Sequence, residues 1–219
     1  MSLGWTQHLI LVPVVLPLLC GALLIPVNEK HHQLKFMANL VSVLGMLGTA
    51  VALVWLTDEG WPEGIGVYLM ANWAAPFGIA FVADRLSALM LLLTALLAGA
   101  VLCYSMRSWS RIGVHFHSLF QFLLMGLNGA FLTHDLFNLF VFFEVMLAAS
   151  YGLLLHGYNR ARLRASLHYV AVNLAASLLF LIGVALIYAA TGTLNMADLA
   201  GRLNHISGDG LILAQIGMT

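Results

Sequence analysis

Charge is what this 219-residue sequence has least of: Asp, Glu, Lys and Arg together make up 8% of it, against about a quarter in a soluble domain. Hydrophobic residues make up 62%, and the mean hydropathy is +0.96. A chain so poor in charge reads as a polytopic membrane protein with no soluble domain left over. Nine basic residues balance nine acidic ones, and no run of Lys or Arg is dense enough for nucleic acid, which is excluded as a partner. Cysteine is scarce too. Cys20 and Cys103 both fall inside apolar runs, where a thiol behaves as a small hydrophobe. A disulfide framework, a metal motif and a haem motif are excluded with them, and no cofactor is expected. Residues 1–7 lack the basic start of a cleaved signal and no convincing cleavage site precedes Asn28, so the first apolar run is expected to stay as a span.

What is present is a series of apolar runs, which predict an all-α, polytopic transmembrane helix bundle of about six spans in a single membrane domain, residues 1–219. The spans are expected near 9–27, 36–56, 86–104, 118–132, 136–155 and 169–190. The first holds Pro13, Pro17 and Pro26, tolerable where neighbouring helices re-satisfy the freed carbonyls. In the second, Gly45 and Gly48 would let another helix approach closely. The long second connection, residues 57–84, is acidic at its start. It then reads as an interfacial hairpin turning at Pro76-Phe77-Gly78, with Trp61, Tyr68 and Trp73 at headgroup level and with Asp84 and Arg85 able to pair. Thr133-His134-Asp135 is so short that the spans on either side must be antiparallel neighbours. Residues 196–203 read as an amphipathic surface segment.

Of the nine Lys and Arg, seven (Lys30, Lys35, Arg107, Arg111, Arg160, Arg162 and Arg164) fall in the first, third and fifth loops. Cytoplasmic loops are enriched in these residues, so those loops are expected inside and the N-terminus outside.

One residue stands against the apolar background. Residues 136–155 are long enough to span, yet Glu144 sits about 12 Å from the nearer end of that helix, beyond the reach of a snorkelling side chain. Ionised groups at mid-membrane cost at least roughly 2.5–3.5 kcal/mol on insertion scales, so such a carboxylate finds a partner, faces water or binds a proton. Glu144 is the candidate proton carrier, and none of its helical neighbours, Phe140, Val141, Leu147, Ala148 and Tyr151, is cationic. His134, His156 and His168 flank this helix and the next and are candidates for a proton path, although interfacial caps are the commoner role of such histidines. Ser166, Tyr169 or Val170, Asn173 and Ser177 recur at three-to-four-residue steps as a polar stripe on the sixth span that either lines a water path or, the commoner role, hydrogen-bonds between helices. Asn128 and Asn138 fit the same two readings. Arg160, Arg162 and Arg164 read first as topology signals.

Two stretches carry a resemblance. Asn72-Trp73 through Ala83-Asp84-Arg85-Leu86-Ser87-Ala88-Leu89-Met90, and His134-Asp135-Leu136-Phe137-Asn138-Leu139-Phe140-Val141-Phe142-Phe143-Glu144-Val145-Met146-Leu147-Ala148-Ala149-Ser150-Tyr151, resemble the D subunits of the Mrp-type multisubunit cation/proton antiporters, also called Pha or Mnh. Those subunits are similar to the antiporter-like membrane subunits of respiratory complex I. The resemblance implies a proton-translocating component of a Na⁺ or K⁺/H⁺ antiporter in the bacterial inner membrane, assembled with other subunits and surrounded by lipid. It also implies that Glu144 exchanges charge with a lysine on a seventh span, which lies beyond the six read here, so the chain looks like the N-terminal portion of such a protein. Two alternatives are a proton-pumping membrane component of an NADH–quinone oxidoreductase or hydrogenase, and a truncated assembly component that does not transport.

Overall fold

The computed structural model describes residues 4–73, 78–106, 115–156, 160–203 and 209–218. The apolar runs become helices. After a single turn, α1 (Trp5–His8), come α2 (Val12–Leu24), α3 (His32–Trp55), α4 (Arg85–Ser105), α5 (Phe116–Leu132), α6 (Leu136–Leu154) and α7 (Arg160–Thr191), then the short α8 (Met196–Leu203) and α9 (Asp209–Met218). A π-turn over Leu56–Gly60 prolongs α3. Four helical stretches, His32–Gly60, Arg85–Ser105, Leu136–Leu154 and Ser166–Thr191, are long and apolar enough to cross a membrane, and α2 and α5 are shorter apolar helices. The chain is thus an all-α membrane bundle of about six helices.

Three boundaries differ from the sequence reading, each for a physical reason. The first helix is shorter than its apolar run. Pro13 stands in its first turn, and the residues before it make three-residue steps such as Ile10 N–H to Gln7 O. At the other ends, helix outlasts apolarity. α3 begins at His32, so Lys35 is not a loop residue but lies in the first turn, 1% exposed and paired with Glu29 at 2.8 Å. Likewise α7 begins at Arg160, which puts Arg160, Arg162 and Arg164 on helix rather than in a loop; Arg, Ala and Leu are all good helix formers and nothing there breaks the helix. Arg107 and Arg111 lie outside the described residues.

The helix α5 sits at the centre, against α2, α4 and α6, while α3 packs on α4 and α2, and α7 on α6 and α9. Glycine makes the α5–α6 contact close. A Cβ on Gly126 would stand 2.8 Å from Met146 N, and one on Gly129 would enter the Phe142 ring. Gly45 meets α2 in the same way, with Leu16 Cδ2 2.8 Å from its notional Cβ, but Gly48 faces open space and is no packing position. Two apolar clusters fill the bundle: one around Leu53, Leu91, Leu132 and Phe142, the other around Val43, Met46, Ala98 and Leu124.

The second connection does form a hairpin, from β1 (Gly66–Leu69) and β2 (Ala80–Ala83), antiparallel with Gly66 opposite Ala83 and Leu69 opposite Ala80. Its expected turn at Pro76-Phe77 lies outside the described residues. β2 is more than a cover. His134 N–H donates to Ala80 O at 3.0 Å, and on its other side Met196 N–H donates to His134 O at 2.9 Å. The hairpin, the α5–α6 turn and the α7–α8 turn are thereby laced into one backbone-bonded girdle at this end of the bundle. Asp84 and Arg85 do not pair. Asp84 caps α4, accepting from Ser87 N–H at 2.7 Å, while Arg85 reaches Asp58 instead. Burial pushes the Asp84 carboxyl up, but the hydrogen bonds from Ser87 outweigh it and hold the group below the usual carboxylate range.

Candidate functional site

Asp135 starts α6 by accepting from Asn138 N–H at 2.9 Å, and the helix then runs unbroken through Glu144 to Leu154. One stripe of it, Phe140, Glu144, Leu147 and Tyr151, recurs at three- and four-residue steps and so shares a face. Two ring contacts show that this face meets α7: Phe140 stacks on Phe180 with centroids 6.3 Å apart, and Tyr151 meets Tyr169 edge-on at 5.7 Å. Because the helices are antiparallel, these pairs set Asn173 level with residue 147 and Ser177 level with residue 143. Asn173 therefore stands between the heights of Glu144 and Tyr151.

Three polar atoms in this seam are buried and without a hydrogen-bond partner among the described residues: Glu144 Oε1, Tyr151 OH and Asn173 Nδ2. In a low-dielectric bundle each such group is costly unless water, a proton or another charge compensates it. A carboxyl, a phenol and an amide donor thus stand within two helical turns of one another along the seam, and these are the partners that a water beside the carboxyl would need. Ser177 is close in height, with its hydroxyl turned back to Leu174 O at 3.5 Å.

The structure brings Glu144, Asn173 and Ser177 to one seam and spreads the histidines. His134 is ten residues from Glu144 and His156 twelve, about 15 and 18 Å along the helix axis, too far for direct proton transfer. His134 is half-buried in the girdle, where its backbone serves both neighbours. At the opposite end of α6, His156 is 4% exposed and packs its ring on Phe116 at 5.4 Å. His168 is exposed on α7. Tyr151 is the member of this polar group that the sequence reading named only as a neighbour of Glu144. Its seven-residue spacing from Glu144 was the available signal. Asn128 does bond between helices, to Pro13 O of α2 at 2.8 Å, whereas Asn138 bonds within the turn to Thr133 Oγ1 at 2.9 Å.

Several helices long and apolar enough to cross a membrane define a multi-pass membrane protein, and comparison with known proteins narrows the class. The family described as NADH:quinone oxidoreductase/Mrp antiporter, TM, matches residues 133–219. The chain is 57% identical over 215 residues to the D subunit of a probable K⁺/H⁺ antiporter from Rhizobium meliloti, covering 97% of this chain and 40% of that protein. With the D subunit of a Na⁺/H⁺ antiporter from Alkalihalophilus pseudofirmus the identity is 43%, over 94% of this chain and 41% of that protein. A structure of the Mrp complex from Dietzia sp. DQ12-45-1b superposes with a TM-score of 0.82 at 33% identity, over 99% of this chain and 41% of the matched one. The resemblance is thus to the D subunits of the multisubunit Na⁺ or K⁺/H⁺ antiporters, and it falls on their N-terminal part. The chain spans about two fifths of the length of these relatives.

Proposed function

We propose that this chain acts as a proton-translocating membrane component of a multisubunit Na⁺ or K⁺/H⁺ antiporter in the bacterial inner membrane, with Glu144 as its proton carrier. The observation that carries this reading is one carboxyl oxygen of the half-buried Glu144, Oε1, buried at mid-helix in α6 with no hydrogen-bond partner among the described residues. In low dielectric a carboxyl keeps its charge only while a compensating charge is near, and otherwise takes a proton. A cation or a cationic side chain approaching and leaving the α6–α7 seam would therefore unload and load that proton. Tyr151 and Asn173 support the carboxyl in both states, as hydroxyl and amide groups that hold water beside it. The histidines at the two ends of α6 reach it only through water.

Inverted vesicles from an antiporter-deficient strain, carrying the assembled complex, test this by Na⁺- or K⁺-dependent ΔpH. Glu144→Ala is expected to abolish exchange while the complex still assembles. Undiminished exchange would remove Glu144 from the mechanism. The family description joins the antiporters to NADH:quinone oxidoreductase, which favours a second reading as a proton-pumping component of a redox complex. Under it, the vesicles show no cation-dependent ΔpH but do take up protons when a reducing substrate is supplied.

A further inference from the structure

A second set of buried polar groups lies away from Glu144, between α3 and α5. On α3, Lys35, Asn39 and Ser42 share a face; on α5, His117, Ser118 and Gln121 lie opposite them, and all six are 3% exposed or less. Three of them make a ladder between the helices. Ser42 Oγ donates to Gln121 Oε1 at 3.0 Å, Gln121 Nε2 donates to Asn39 Oδ1 at 2.7 Å, and Asn39 Nδ2 donates to Lys35 O at 3.1 Å. At its outer end the ladder meets the Lys35–Glu29 pair, and Glu29 is 29% exposed, so the line reaches the surface. Burial pushes the Glu29 carboxyl up, but the Lys35 ammonium and the His115 N–H, which donates to it at 3.0 Å, hold it below the usual range. His32 on α3 and His156 after α6 are electrostatically coupled to His117 at the same mouth.

A ladder that only stapled two helices would end with its own bonds. Here three more buried atoms, His117 Nδ1 and Ser118 Oγ near the mouth and Asn128 Oδ1 farther in, have no hydrogen-bond partner among the described residues. Left dry, each costs about 1–3 kcal/mol. Polar walls with several free donors and acceptors are the setting in which buried water is held. Inward of Ser42 and Gln121 the interface turns apolar, with Val43, Met46 and Leu124, and Asn128 lies past them against Met46. From Lys35 to Ser42 is about 10 Å along α3, roughly a third of the thickness of a bilayer core. We propose that the α3–α5 interface is a water-filled polar inlet, opening at Glu29 and Lys35 and reaching Ser42 and Gln121, through which protons enter the bundle. That protons are what the water conducts rests on the antiporter reading; the hydration does not.

Hydration can be read without transport, because a thiol reacts with a hydrophilic methanethiosulfonate only where water lets it ionise. In complex-bearing inverted vesicles, with the native thiols removed as Cys20→Ala and Cys103→Ser, single cysteines are placed by Ser42→Cys or Ser118→Cys. Ala98→Cys is the dry control, 4% exposed in the apolar cluster beside Val43. Both serine positions are expected to react with 2-aminoethyl methanethiosulfonate about tenfold faster, or more, than the control. The two positions lie on different helices, so one variant that fails to accumulate leaves the other to decide. Equal rates at all three sites, whether slow or fast, would overturn the inlet. Labelling that persists when Glu144→Ala has abolished exchange supports the inlet apart from the carrier, and labelling lost in that variant overturns it.

Discussion

Pro17 has no N–H, so the carbonyl of Pro13, four residues earlier, loses the donor its own helix would supply. Asn128 takes that place from α5, its amide 2.8 Å from Pro13 O. Removing a buried donor leaves the acceptor unsatisfied and costs about 1–3 kcal/mol, near the top of what single polar contacts give in membrane bundles. Asn128→Leu should therefore lower the thermal stability of the detergent-solubilised complex. Adding Pro17→Ala should recover most of the loss, because an alanine N–H at 17 restores the bond to Pro13 O within α2. The double-mutant cycle isolates that single bond. If Pro17→Ala brings nothing back, Asn128 acts through some other contact. The same accounting separates Asn128 Nδ2, whose partner is plain, from Glu144 Oε1, which has none among the described residues.

Among the elements, α5 and α6 show how far backbone approach decides packing. A Cβ on Gly126 meets main-chain and Cβ atoms of Met146 at 2.8–2.9 Å, which cannot swing aside as a side-chain tip can. Gly126→Ala should therefore force the two helices apart and cost about 1–3 kcal/mol, as overpacking does. Gly48→Ala, with nothing within 4 Å of its Cβ, should be neutral or gain about 0.5–1 kcal/mol from helix propensity. Melting of the solubilised complex compares them; equal losses would mean that the close contact is not what Gly126 serves. Both glycines lie in apolar runs and look alike in sequence, and the reading that paired Gly45 with Gly48 was right for one of the two. The spans themselves were legible because an apolar run of membrane length has few alternatives to a helix. Helix ends were not, since Lys35 and Arg160 continue a helix by propensity after the apolar run has stopped. The Asn39–Gln121–Ser42 ladder was hidden for a different reason. Its members lie about eighty positions apart, and each stands alone among apolar residues. Only the four- and three-residue steps Lys35, Asn39, Ser42 hinted at a polar face on α3. Glu144 was legible because a charge in such a run is costly on its own; Asn173 was already a candidate for a water path, but only the register of α6 against α7 set it and Tyr151 in the same seam as Glu144.

At the scale of the molecule, the two ends of the bundle differ in charge and in how they are tied. One end gathers Glu29 to His115 and Phe116 to His156, joining the α2–α3, α4–α5 and α6–α7 connections. Lys30, Lys35 and the arginines that open α7 lie at this end. The other end carries the girdle of hairpin and turns, together with Asp58, Glu59, Glu63, Asp84 and Asp135. Basic residues are retained on the cytoplasmic side during insertion, so the girdle should face the exterior and the mouth beside Lys35 the cytoplasm. Single cysteines at exposed positions on each end, Glu63→Cys and Lys30→Cys in the background lacking Cys20 and Cys103, decide the matter. A membrane-impermeant maleimide should label the first in intact cells and the second in inverted vesicles. The reverse pattern would turn the molecule over, and the inlet between α3 and α5 would then open to the exterior and draw its protons from that side.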